Sequence, residues 1–463
     1  MKIVFQLVRL TKFYSIILLA SFAMMSTLEA KEDSYCSGSL EYLKTSYQSD
    51  KKVREVFDNV YKGLENLPVG YTYQGSSQNP WKEAGSGKGL HKKMIEMFDT
   101  WCEALPKIDG NADNALDPIL YFAWIYYKNQ AGQEFVQSGV GAEFLQKWQK
   151  EYMSFMNSKE STKEIAEWVD DPLIEIEDYE ITDPSKYTSW NEFFARNLKS
   201  DKDGNYPSRP VTMPERDYVI VSPTDCIMNP LVQTLELSEG SYKREFVDNP
   251  IGLNTILDVK NIPISVNDML GSLKPELKKK FVGGSGLSCV LMPNTYHHFH
   301  SPVDGKVVHA EVVESGTKGT PGTFGYPDFP NWAPKSGDVG RAGTDFSQFQ
   351  AFQRGVIVIK VDYDALGEKK TGYVASIPVG LDSVGSVVLN TCDSEITDRV
   401  NCFEVGGDVT KGKTKFGNFY FGGSLNILLF SKDMISPAIQ TRMGNQIGVI
   451  NMGKAPKSPW SLD

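Results

Sequence analysis

Near Ser189 the hydrophobic pattern of this chain changes period, and that change restricts the fold more than any other feature. Upstream, Val53, Val56, Phe57, Val60, Tyr61 and Leu64 recur at three-to-four spacing, as do Leu90, Met94, Ile95, Met97 and Phe98. That is the stripe of a helix with one face to bury. The apolar run Ile119 to Tyr127 is too short to span a bilayer, which takes about 20 residues, and reads as a buried helix. Downstream, short apolar runs (Tyr218 to Val221, Val356 to Val361, Val384 to Leu389, Leu425 to Phe430) are separated by turns rich in Gly, Pro and Asp. Such punctuation specifies strands, with one helix expected at Val266 to Phe281. The expected class is α+β: a helical N-terminal domain and linker over residues 31–187, then a β-rich domain over residues 188–463.

Charge and cysteine usage narrow the partners. A formal net charge of −10 argues against nonspecific nucleic-acid binding. It also disfavours electrostatic adsorption to an anionic bilayer, except through a local patch such as Lys278-Lys279-Lys280. Lys2, Arg9 and Lys12 followed by the apolar stretch Phe13 to Met25 and by Ser26 to Ala30 have the form of a secretory signal over residues 1–30. Export, periplasmic or secreted, is expected, with an uncleaved anchor as the alternative. The six cysteines include no C-x-x-C pair, so no metal site is indicated, and export permits disulfides. Cys392 and Cys402 are near enough in sequence to bridge a loop, although spacing does not fix pairing.

Three of the five histidines fall within His297 to His300, inside Tyr296-His-His-Phe-His-Ser-Pro-Val-Asp304-Gly305. Histidine titrates near neutrality, so the cluster suggests proton transfer, with metal binding and a satisfied core residue as the alternatives. By strand alternation His297 and His300 do not share a face. Near the C-terminus, Phe421-Gly422-Gly423-Ser424 precedes an apolar run. Glycines permit a bend that aims the serine hydroxyl at the preceding carbonyl, although Gly-Gly-Ser is by itself a common turn. A third element, Val221-Ser-Pro-Thr-Asp225-Cys226, places an acid where a strand would end, able to orient a histidine or merely to shape a turn.

In this order these elements resemble the phosphatidylserine decarboxylase family of pyruvoyl enzymes. The resemblance runs from about Ser189 to Phe430. It rests on Trp190-Asn-Glu-Phe-Phe-Ala-Arg196-Asn-Leu-Lys199, Arg209-Pro210, Val221 to Asp225, Phe281-Val-Gly-Gly284, the histidine window, Val379-Gly380 to Ser386, and Lys411-Gly412 to Ser424. The N-terminal region is more loosely similar to the helical domain of a subgroup that includes free amino-acid decarboxylases.

The resemblance implies a chain that cuts itself between Gly423 and Ser424, with Ser424 the attacking residue, His300 its base and Asp225 the group orienting His300. Ser424 would end as a covalent pyruvoyl group, which accepts electrons as CO2 departs, so neither pyridoxal phosphate nor a metal is called for. His297 would act in decarboxylation and His298 would be idle. The two cleaved chains, a long β chain and a short α chain, would stay associated. Cys226 and Leu425 depart from the family's Gly and Ser/Thr at those places and put the efficiency of self-cleavage in question. The implied substrate is phosphatidylserine, with peripheral membrane contact. The alternatives are a free amino acid acted on by the same chemistry and a non-catalytic binding protein on the same fold.

Overall fold

The computed structural model describes residues 34–64, 79–106, 117–126, 129–238, 241–247, 250–259, 262–292, 294–313, 353–365, 367–380, 387–394, 402–420 and 424–435. The signal over residues 1–30, Gly423 and the unaligned stretch Thr317 to Phe352 lie outside the described residues.

Helices α1 (Ser37–Ser49), α2 (Lys51–Lys62), α3 (Gly87–Cys102), α4 (Asp117–Tyr126), α5 (Gln130–Gln137) and α6 (Gly139–Met156) occupy the N-terminal side, as the three-to-four spacing requires. Three of their starts carry side-chain caps: Asp50 accepts from Lys52 N, Ser86 from Gly89 N and Asn129 from Gly132 N. The interior is ring against ring. Phe98 meets Phe122 and Phe144 at 4.9 Å, and Trp148 at 5.0 Å, while Trp148 Nε1 donates to Phe98 O at 3.1 Å. A disulfide joins Cys36 to Cys102, tying the start of α1 to the end of α3.

A short α7 (Ile165–Val169) and α8 (Trp190–Phe194) lead into the second region. Ser189 caps α8, and Trp190 packs edge-on to Trp168 at 5.4 Å. Strands β1 (Ile227–Pro230), β6 (Ser285–Leu291), β14 (Ser424–Phe430), β10 (Glu368–Val379), β9 (Arg354–Ala365), β8 (Gly305–Val313) and β12 (Asp408–Val409) form one sheet in that spatial order. A second sheet orders β11 (Val387–Leu389), β13 (Lys415–Phe419) and β7 (His298–His300). A third orders β3 (Ser241–Phe246), β2 (Val232–Ser238), β4 (Ile256–Val259) and β5 (Ile262–Ser265). All the ladders among named strands are antiparallel.

Two local expectations are corrected. Val266 to Phe281 is not one helix but α9 (Val266–Met269), α10 (Pro275–Lys278) and a 3-10 turn, Lys279–Phe281. Gly271, at φ +55°, reverses the chain after the first piece, and Pro275 supplies no N–H to continue it. Tyr218 to Val221 forms no strand. Its apolar side chains are spent on a cavity wall, and its backbone is tied by Val221 N donating to Pro302 O at 3.0 Å.

Candidate active site

Three segments distant in sequence converge on the histidine window. The loop before β1 runs beside it: His300 N donates to Pro223 O at 2.8 Å, and Thr224 Oγ1 to Tyr296 O at 3.2 Å. On the other side β13 pairs with β7, and Phe419 N donates to His297 O at 2.9 Å. Gly417 sits at an irregularity in that ladder, where a Cβ would lie 1.9 Å from Val388 O, so only glycine lets the three strands approach. Arg196 completes the frame, its Nη2 donating to Asn294 O at 2.7 Å while its guanidinium lies 4.3 Å from the centre of the Tyr179 ring.

Ser424 is reached from the same strand ends. It is the first residue of β14, 1% exposed, and pairs with Leu291, the last residue of β6, six residues before His297. Four residues separate it from Phe419. β13, ending at Phe419, belongs to the histidine sheet, and β14, beginning at Ser424, to the seven-stranded sheet. Alternation along β14 puts Ser424, Asn426, Leu428 and Phe430 on one face.

That face borders a cavity of about 1160 Å³, lined by Leu428 and Phe430 and, at its polar side, by Asp225, Arg209, Tyr296 and His300. Asp225 and His300 thus line one cavity, but no hydrogen bond joins them directly among the described residues. The Asp225 carboxylate receives Arg209 Nε at 2.9 and 3.1 Å. His300 Nε2 instead meets the Tyr296 hydroxyl at 2.9 Å, and its Nδ1 lies 3.4 Å from Lys413 O. A carbonyl only accepts, so Nδ1 carries the proton and Nε2 is the basic nitrogen, receiving the tyrosine O–H.

Burial controls protonation here. It holds His297 and His300 down to about 3, with Arg196 adding to the effect on the first and Lys415 on the second. His298 lies well below its ordinary value for the same reason. Burial pushes Asp225 up, and Arg209 opposes it. His297 stacks on Phe194 at 3.8 Å, and its Nδ1 makes no hydrogen bond among the described residues. His298 Nε2 donates to Ala195 O at 2.7 Å, a structural anchor.

Asp304 does more than shape its turn: its Oδ1 accepts from Lys411 N at 2.9 Å, fastening the loop before β13. Sequence reasoning gave no role to Arg209 or Tyr296. Both lay inside quoted motifs, but nothing along the chain reveals what an arginine or a tyrosine will face. Cys226 forms a disulfide with Cys289 of β6, so the residue after Asp225 is pinned to the strand that pairs with Ser424's strand. Cys392 and Cys402 form the third disulfide. Among the described residues no group of acids, histidines and cysteines is arranged to hold a metal ion.

A family model described as phosphatidylserine decarboxylase matches residues 190–449. Among curated proteins, the chain is 26% identical over 315 residues to a phosphatidylserine decarboxylase proenzyme of Clostridium novyi (strain NT), covering 68% of this chain and 83% of that protein. It is 27% identical over 314 residues to the proenzyme of Fusobacterium nucleatum, covering 67% and 81%. It is 26% identical over 244 residues to the decarboxylase iboD of Amanita muscaria, covering 53% and 58%.

Proposed function

We propose that this chain, which belongs to the phosphatidylserine decarboxylase family, is a self-cleaving carboxy-lyase that releases CO2 from phosphatidylserine and leaves phosphatidylethanolamine. The observation that carries the reading is the cavity: an acid, Asp225, and a neutral histidine base, His300, line it together with Leu428 and Phe430 of the strand that Ser424 opens.

In maturation, Ser424 Oγ attacks the Gly423 carbonyl as its proton passes to His300 Nε2, and the peptide becomes an ester. Loss of the Cα proton of residue 424 expels Gly423 as a carboxylate and leaves dehydroalanine. One water then releases ammonia, and residue 424 ends as a pyruvoyl group. The donor set fits that group: a buried serine opening a strand, after two glycines, with a basic nitrogen whose tautomer is fixed. The pyruvoyl carbonyl supplies an electron sink for the carbanion left by decarboxylation. His297 delivers the proton that replaces the carboxylate. Burial disfavours its cation, and an entering substrate carboxylate raises its proton affinity.

The short chain stays attached without a covalent link. Residues 424–463 contain no cysteine, and β14 lies between β6 and β10, buried along its length. The apolar lining of the cavity, with Met213 47% and Tyr218 57% exposed, supports a phospholipid reached at a membrane surface. The basic run contributes less than its charge suggests, since Lys278 Nζ donates to Asn267 O and Lys280 lies over the Tyr373 ring. That all six cysteines pair supports an exported protein. The helical region over residues 31–187 we read as an associated domain packed against the catalytic one through Trp168 and Trp190.

Intact mass under denaturing conditions tests the reading. A fragment starting at residue 424 is expected, lighter by one ammonia than the same fragment beginning with serine. An uncleaved wild-type chain would overturn it. CO2 release from phosphatidylserine vesicles, compared with free amino acids, then decides the substrate, with free serine as the outcome that favours an amino-acid enzyme.

A further inference from the structure

We propose that Arg209 is a positioning residue for self-cleavage, holding the Asp225 carboxylate at the cavity that His300 also lines while Glu175 and Asp178, from the segment that joins the two regions, hold the guanidinium. The proposal rests on the maturation reading above.

All three guanidinium nitrogens are committed. Nε faces both Asp225 oxygens, at 2.9 and 3.1 Å. Nη1 donates to Asp178 Oδ2 at 2.6 Å and to Ser208 O at 3.1 Å, and Nη2 donates to Glu175 Oε2 at 2.7 Å. A planar fork engaged on every edge cannot rotate, so it transmits orientation from one carboxylate to another. Three carboxylates on one cation leave excess negative charge, which a pair serving only to fasten the surface would not require. Glu175 is also held at φ +51°, a conformation disfavoured for a residue with a Cβ. The linker therefore accepts strain where it meets the guanidinium.

The backbone around Asp225 has its own ties. The Cys226–Cys289 disulfide, the Thr224 bond to Tyr296 O and the Pro223 bond from His300 N all hold it without Arg209. What depends on Arg209 is the rotation and ionisation of the carboxylate. The charged and titratable groups facing it are Arg209, Arg196 and Glu175, with the Tyr179 and Tyr296 hydroxyls. Arg209 is the largest influence opposing burial, so removing it raises the proton affinity of Asp225.

The test follows fragment appearance from freshly translated full-length chain across pH. Arg209→Gln is expected to slow cleavage roughly 10- to 100-fold near neutrality. The acid limb of its pH profile should move to higher pH. Arg209→Lys should restore the position of that limb but not the full rate, because an ammonium lacks the fork. Combining Arg209→Gln with Asp225→Asn should slow cleavage no more than Asp225→Asn alone. Glu175→Gln with Asp178→Asn, which leaves Arg209 and Asp225 in place, should slow cleavage less than Arg209→Gln and serves if that variant fails to fold. A folded Arg209→Gln chain that cleaves at the wild-type rate with an unshifted profile would overturn the proposal, as would full additivity with Asp225→Asn. An uncleaved wild-type chain would overturn the function reading instead.

Discussion

In the helical region the interior is made of rings and aliphatic chains, and among the described residues its buried polar side chains are Ser39, Asn79, Asn129 and Ser161. The β-rich region buries Arg196, His297, His298, His300, Arg354, Lys411, Lys415, Ser424 and Asn426. Burying a charge or an imidazole costs free energy unless it is paired, so this second interior is the less favourable for stability. Most of these groups surround the histidine window and the start of β14. The contrast separates an interior optimised for packing from one that gives up packing energy to hold chemistry.

The largest effects should come from single atoms in the β-rich region. Ser424→Ala, which removes one buried oxygen, is expected to abolish fragment formation and activity together, read by denaturing mass and CO2 release. His300→Gln should also stop cleavage. His297→Gln should separate the two steps: the fragment appears, but turnover by the matured protein drops by roughly 10²- to 10⁴-fold. A His297 variant that fails to cleave would place that residue in maturation.

In the helical region an aromatic truncation should do the opposite. Trp148 is fully buried against Phe98, Trp101 and Tyr152. Trp148→Ala is expected to cost about 3–5 kcal/mol of stability, measured by denaturant titration. Folded material should still cleave at the wild-type rate. Slowed cleavage in that variant would mean that the two interiors are coupled, most directly through the Trp168–Trp190 contact and the linker carboxylates on Arg209.

What could be read from the sequence follows the same division. Periodicity placed the helices because a helix stripe is local, and β9 and β14 because an apolar run between turns is local too. Only the histidine cluster stood out by residue type; Asp225 and Ser424, each ordinary in a turn, stood out because the order of the motifs resembles that of the phosphatidylserine decarboxylase family. The clamp on Asp225 was not legible. Its partners lie 16, 31 and 34 residues from Arg209, and no periodicity links an arginine to three carboxylates across a linker. The 63- and 66-residue disulfides were hidden for the same reason, whereas the ten-residue Cys392–Cys402 loop could at least be named as a candidate. Tyr296, the first residue of the histidine window, was in plain view, yet nothing along the chain says that its hydroxyl meets His300 Nε2.

The smallest and most distributed effect is on stability against pH. In the folded chain burial holds His297 and His300 near 3, while an unfolded histidine titrates near 6.5. Because the folded values are depressed, the unfolded state takes up protons first as pH falls. Stability from these two groups is intact above about pH 6.5 and is lost progressively toward pH 3. At pH 5 each accounts for about 2 kcal/mol of loss. His298 acts in the same direction, and in the helical region only the half-buried His91 is lowered by burial. Hydrogen exchange corrected for intrinsic rates should therefore show protection in β7 and β13 falling between pH 7 and pH 5, while α6, which carries no histidine, keeps its own. Equal losses in both regions would mean that they unfold as one unit. No loss in β7 would mean that the histidines are not neutral in the folded chain, and the assignment of His300 Nε2 as the base would fall with it.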